Sequence, residues 1–370
     1  MSSLRSSVSR AVRSARRMVG HPDVRGWTPY SRLILMSDAP AWVLAYEMEE
    51  IGELARCLRI TTVDAALWPY AKHQSVFYAS HLSLLVGDQW QQPNRLGMAY
   101  MHGKPGTGHA EFDRTFDVLR RHHERFERIQ ATHSEMFEVI LQSGIAPEKV
   151  ALIPLGVNPQ IFQRVTSFER AAARKRFGIP EHARVVGSFQ KDGVGWGEGL
   201  EPKLVKGPDL FLAVVDQLRS SVPDLFVLLS GPARGYVMAG LRRLGVPFAH
   251  DYVADPRALA PLYHATDVCI VASRQEGGPK AVLEAMSCGV ALVTTRVGQA
   301  MDLVRHAENG WIVNVEDADG LARWAGQVLR EGAPATVLDA ARATAEANRY
   351  DAQLPLWDRF LDGFVERNAS

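Results

Sequence analysis

Ser273-Arg-Gln-Glu-Gly-Gly-Pro-Lys-Ala-Val-Leu-Glu-Ala-Met-Ser-Cys-Gly289 follows directly on the apolar run Val-Cys-Ile-Val-Ala at 268–272. A short apolar run bounded by turn-formers reads as a buried strand. The segment after it reads as a helix of small and apolar residues, with Pro279 suited to its first turn and Gly289 to its end. Strand, glycine-bearing loop and helix in that order are the unit of a parallel α/β sheet. Sheets of this kind take ligands outside the carboxyl ends of their strands. Gly277 and Gly278 let backbone amides approach such a ligand closely. The helix start adds free N–H groups and the positive end of a dipole, which suit a phosphate. Glu276 and Glu284 can accept hydrogen bonds from sugar or ribose hydroxyls. Glu276 taken alone reads equally well as a helix-dipole partner.

The same alternation extends outward in both directions. Apolar strands are expected at 32–36, 75–78, 96–100 and 150–154, and in a second series at 184–189, 225–230, 268–272, 291–295 and 311–314. Helices are expected at 41–58, 111–128, 134–143 and 208–220. The 370 residues suffice for two domains, and the polar stretch at 159–176 is the best connection between them. The fold class is α/β, with residues 21–165 as an N-terminal domain and 166–350 as a C-terminal one.

Forty-two Lys and Arg against 41 Asp and Glu leave a net charge of +1, which argues against a globally basic nucleic-acid binder. The balance is uneven. Arg5, Arg10, Arg13, Arg16 and Arg17 crowd the first 20 residues, which hold no acid. At helical spacing Leu4, Val8, Val12 and Val19 oppose these arginines, the pattern of a basic amphipathic helix lying on an anionic membrane surface. An organelle transit peptide or a disordered tail accounts for the same residues. No apolar run is long enough to cross a bilayer. Cys57, Cys269 and Cys288 are few and odd in number, which suits reduced thiols. These features lead us to expect a cytoplasmic protein, peripheral on the membrane if the arm is an anchor.

Glu276 and Glu284, eight residues apart, resemble the E-x7-E motif of the retaining family-4 glycosyltransferases. The likeness extends to Leu262-Tyr-His-Ala-Thr-Asp267, Val297-Gly-Gln299 and Glu308-Asn-Gly-Trp-Ile-Val313, and upstream to Val150-Ala-Leu-Ile-Pro-Leu-Gly-Val-Asn-Pro-Gln-Ile-Phe162. It is strong over residues 145–330 and weak over the first hundred. It implies the GT-B fold, two Rossmann-like domains facing across a cleft, with a nucleotide-diphosphate-sugar donor on the C-terminal one. It also implies a last helix, here 351–370, packing back on the N-terminal domain. Leu354, Trp357, Phe360, Leu361 and Phe364 have the spacing for that.

Residue by residue, the resemblance implies that Lys206, ahead of Gly207, binds the donor phosphates and that His102 touches the transferred sugar. Glu276 would act at the chemical step, with Gly277, Gly278 and Glu284 on the donor. Residues 187–193 lack the arginine usual in the family, so Lys191 is a candidate substitute, with a solvated loop lysine as the other reading. On the acceptor side Asp38 and Trp42 are candidates, although a turn aspartate and a packing tryptophan explain them equally. The acceptor class is a glycan or a lipid-linked saccharide.

No cofactor or metal is expected. Asp317 and Asp319 have the spacing of an acid pair, but they read better as a helix cap. The histidines at 102, 109, 122, 123 and 133 lack zinc spacing. Residues 103–108 lack the Gly-Lys-[Ser/Thr] of a phosphate-binding Walker loop. Two other functions fit the same residues: an inactive GT-B module that binds nucleotide sugar or glycan, and a GT-B sugar epimerase.

Overall fold

The computed structural model describes residues 24–37, 43–66, 71–81 and 89–369, so the arm at 1–20, Asp38 and Trp42 lie outside the described residues. The chain divides into two compact units. The first holds the described residues through Ala131, then Phe137–Ile153 and the residues from Leu354 on. The second holds Thr132–Met136 and Pro154–Gln353.

In the first unit the strands are β1 (Leu33–Ser37), β2 (Thr62–Ala66), β3 (Ser75–Tyr78), β4 (Arg95–Tyr100), β5 (Phe126–Ala131) and β6 (Val150–Leu152). They form one sheet in the order β2-β1-β3-β4-β5-β6, and every pair is parallel. β1, β3 and β4 carry apolar residues on both faces, as a sheet covered on both sides requires: Leu33, Ile34, Phe77, Leu96 and Met98 have no exposed surface. The helix expected at 111–128 is shorter than its charge pattern suggests. It spans Ala110–His122, and β5 begins at Phe126. Phe126, Ile129 and Ala131 are wholly buried between β4 and β6. That burial outweighs the helical preference of the charged residues around them.

The last helix, Leu354–Leu361, belongs to this first unit. Trp357 and Phe360 each meet the Phe77 ring edge-on, with centroids 5.7 Å apart. Arg128 ties the segment down by donating to the Phe360 and Asp362 carbonyls over 2.8 and 2.7 Å.

In the second unit the strands are β7 (Arg184–Phe189), β8 (Leu225–Ser230), β9 (Phe248–His250), β10 (Val268–Val271), β11 (Ala291–Thr295) and β12 (Trp311–Val313). The order is β12-β11-β10-β7-β8-β9, again all parallel. Strand order reverses between β7 and β10, and the crevice beyond their carboxyl ends is where doubly wound sheets bind ligands. Helices cover both faces. Pro208–Arg219 and Ala318–Glu331 contribute to one apolar cluster, and Lys280–Cys288 to another. Asp317 caps its helix by accepting from the Gly320 N–H over 2.8 Å, as read from the sequence.

The passage between units comes earlier than residue 165. Residues from Pro154 on are already bound into the second unit: the Leu155 N–H donates to Gln299 Oε1 over 2.9 Å, and the Phe162 carbonyl accepts from Ser287 Oγ at 2.6 Å. Proline and asparagine in this stretch make it look like a linker, but these contacts pin it down. Among the described residues no helix is long and apolar enough to cross a membrane.

Candidate active site

The chemistry-bearing residues of the second unit meet where β7 and β10 end. Residues 204–206 make one tight turn, closed by Gly207 in the left-handed region at φ 63°. A Cβ on Gly207 would stand 1.9 Å from the Ala272 carbonyl oxygen. Only glycine allows the turn to lie against the end of β10, and Pro208 then starts the next helix. The turn is held from the other side as well. The Arg274 and Gln275 amides both donate to the Val205 carbonyl, at 2.9 and 3.1 Å. The Arg274 guanidinium grips both oxygens of Asp209 at 2.7 and 2.8 Å and also pairs with Glu316. Hydrogen bonds to these two acids push the Arg274 pKa up, so it stays charged.

This scaffold brings Lys206 and Glu276 together. Nζ lies 2.6 Å from Oε2, with the two side chains 25% and 10% exposed. The other oxygen of Glu276 accepts from Ser273 Oγ at 2.8 Å. Gln190, from the end of β7, donates from its amide to the Lys206 carbonyl at 2.9 Å.

Gly277 and Gly278 lie beside the loop at 298–299. The Gly277 carbonyl accepts from the Gln299 N–H over 2.9 Å, and a Cβ on Gly278 would come within 2.6 Å of the Leu155 side chain. The helix Lys280–Cys288 follows, and its N-cap residue, Pro279, offers no side-chain acceptor. On that helix Glu284 is only 5% exposed, and its Oε2 accepts from the Tyr263 hydroxyl at 2.5 Å. Burial, and then the Glu284 charge, push the Tyr263 pKa well up. The same two causes push up Cys269 and Cys288, which remain buried free thiols.

Lys191 turns into its own loop. Nζ donates to the Gly193 carbonyl at 2.9 Å and stands 5.3 Å from the Trp196 ring centre. Burial lowers its pKa; the Asp192 charge opposes this, and the Lys206 charge adds to it. Residues 187–193 hold no arginine, but an arginine from another loop reaches the same strand end. Arg234 is completely buried and donates to the carbonyls of Ser188, Gln190 and Ser230 at 2.8, 2.9 and 2.8 Å. Its Nε is 3.0 Å from Asp192, also completely buried. Sequence reasoning missed this pair, because an arginine in Gly-Pro-Ala-Arg-Gly reads as a solvated turn residue.

In the first unit His102 follows β4 and is half-buried. Its ring stands edge-on to His81 and to Phe112, with centroids 5.4 and 5.6 Å away. His81 was also missed. Its only sequence signal is its place just after β3. Among the described residues no group of three or more His, Cys, Asp or Glu is arranged to hold a metal ion.

The fold is of the GT-B type. Anabaena HepE, solved in complex with UDP and glucose, aligns with a TM-score of 0.72 at 16% identity, covering 90% of this chain and 100% of that one. Sucrose-phosphate synthase from Thermosynechococcus elongatus aligns at 0.70 and 18% identity, covering 90% and 98%. Residues 198–331, within the second unit, match the family model for glycosyl transferases group 1. D-inositol 3-phosphate glycosyltransferase from Acidothermus cellulolyticus is 29% identical over 249 residues, 63% of this chain and 51% of that protein. The Stackebrandtia nassauensis protein of the same name is 29% identical over 218 residues, 55% of this chain and 46% of that one. The chain spans about half the length of the curated relatives it matches.

Proposed function

We propose that the protein is a retaining glycosyltransferase of the family-4 type, moving a sugar from a nucleotide diphosphate sugar to a hydroxyl of a glycan or lipid-linked saccharide. The observation that carries this reading is the Lys206–Glu276 contact at 2.6 Å, at the switch point of the second sheet and next to a helix start whose cap residue offers no acceptor. Leaving of the diphosphate builds negative charge, which Lys206 and the helix N–H groups stabilise more as the bond breaks. The sugar, electron-poor at its anomeric carbon, is assigned to Glu276 and to the Gly277 and Gly278 amides. His102 is assigned a sugar hydroxyl, and Glu284 the ribose hydroxyls. Lys191 adds positive charge beside Lys206. Attack comes from the face the donor leaves, and the departing phosphate takes the acceptor's proton, so no separate general base is assigned.

UDP is the first nucleotide to try, because Anabaena HepE was solved with it. Release of nucleoside diphosphate from UDP-, GDP- and ADP-sugars should depend on the sugar donor and yield a glycoside of unchanged anomeric configuration. Tight binding without release would instead identify an inactive module, and an altered free sugar an epimerase. Activity should survive EDTA, since lysine and the helix start are the proposed partners of the phosphates. Complete loss on chelation, restored by Mg2+ or Mn2+, would overturn that part of the reading.

We place the reaction on the cytoplasmic side of a membrane that the basic arm at 1–20 contacts. Its five arginines contribute at most about 5 kcal/mol near an anionic bilayer, less in salt. Liposome co-sedimentation should therefore weaken with salt and vanish for a chain starting at Gly20. Equal binding by both chains would exclude the anchor.

A further inference from the structure

Two groups hold one carboxylate. Lys206 Nζ stands 2.6 Å from Glu276 Oε2, and Ser273 Oγ donates to Oε1 over 2.8 Å. Ser273 is fully buried, and its backbone is fixed, because its carbonyl accepts from Thr295 Oγ1 at 2.6 Å. The same hydroxyl lies 3.3 Å from Gln190 Oε1, and Gln190 in turn holds the Lys206 carbonyl at 2.9 Å. Three loops thus converge on Glu276, and the two contacts to its carboxylate differ in kind. Lys206 is a charge on a flexible stem. Ser273 is a fixed donor that cannot follow the carboxylate if it moves.

A diphosphate at this site competes with Glu276 for the same ammonium. As Lys206 turns toward phosphate, Glu276 is left beside an anion with less of its counter-charge. A charge-assisted hydrogen bond from a buried, fixed hydroxyl is then what keeps the carboxylate in place. We propose that Ser273 is a positioning residue, holding Glu276 while Lys206 is handed from Glu276 to the donor diphosphate. This deepens the donor-site reading and rests on it.

Inorganic pyrophosphate probes the hand-over without any choice of base or sugar. Calorimetric titration of the full chain should show that Ser273→Ala weakens pyrophosphate binding about tenfold, the low end for loss of one charged hydrogen bond. Ser273→Cys, which keeps the volume but is a weak donor, should do the same, and Ser273→Thr should restore binding. Glu276→Gln removes the competing charge, so affinity should rise. In that background Ser273→Ala should have no further effect, a non-additivity that a packing role for Ser273 does not produce. Normal affinity of Ser273→Ala, or an equal loss in both backgrounds, overturns the role of Ser273 alone. If pyrophosphate does not bind the unsubstituted chain, or Lys206→Ala binds it equally well, the donor-site reading falls and the hand-over falls with it.

Discussion

His81 stacks on Tyr100 with ring centroids 4.0 Å apart and has no exposed surface. Burial, and then the nearby His102, push its pKa well below the ordinary histidine range. The native imidazole therefore stays neutral at a pH where the unfolded chain takes up a proton. Since the unfolded state binds more protons, stability is complete above the unfolded value and declines as the pH falls below it. For an unfolded pKa of about 6.5, the loss at pH 5.5 is about 1.4 kcal/mol. His81→Phe keeps a stacked ring that cannot titrate. Between pH 8 and pH 5.5 it should lose less stability than the native chain, by about that amount, as measured by urea denaturation. Equal losses would mean that His81 is protonated in the native state.

Elements were legible to the extent that their burial leaves a mark in the sequence. β10 and the helix after it were readable because an apolar run, two glycines and a proline each carry one meaning there. β5 was not, since Glu127 and Arg128 continue a charged run whose helical preference only the neighbouring strands override. The site divides in the same way. Lys206, Glu276 and the glycine pair stand out by spacing, whereas the parts played by Ser273, Gln190 and Arg234 depend on how loops far apart in sequence meet.

Arg234 shows what that meeting is worth to an element. It ties the carboxyl ends of β7 and β8 together, and its contact with Asp192 is one of charge at 3.0 Å, since neither Asp192 oxygen receives a well-aligned hydrogen bond among the described residues. Burial pushes the Asp192 pKa up, and the Arg234 charge opposes this. Arg234→Met strands that carboxylate and takes a donor from three carbonyls, and should destabilise the second unit by about 3–5 kcal/mol. Adding Asp192→Asn removes the stranded charge and should recover part of the loss. A double variant no more stable than Arg234→Met in chemical denaturation would show that the pair's charges are not what holds the loop.

At the scale of the whole chain, sequence order and unit membership part company. The residues from Leu354 on belong to the first unit, although the entire second sheet lies between them and β6. Trp357, Phe360, Leu361 and Phe364 are each at most 3% exposed. Arg95 also reaches the Phe364 carbonyl, at 3.3 Å. Emptying one buried aromatic site costs about 3–5 kcal/mol, and a typical domain has only about 5–15 kcal/mol in all. Ending the chain after Gln353 removes three such aromatics and Leu361 together, more than the first unit can lose and stay folded. The second unit keeps its own sheet and its apolar clusters. Hydrogen exchange on the shortened chain should therefore show protection lost across β3 and β4 and retained across β7 and β10. Trp357→Ala alone should give a weaker version of the same pattern, with faster exchange confined to the first unit. Protection of β3 and β4 that survives the truncation would mean that the C-terminal helix covers a core already stable without it.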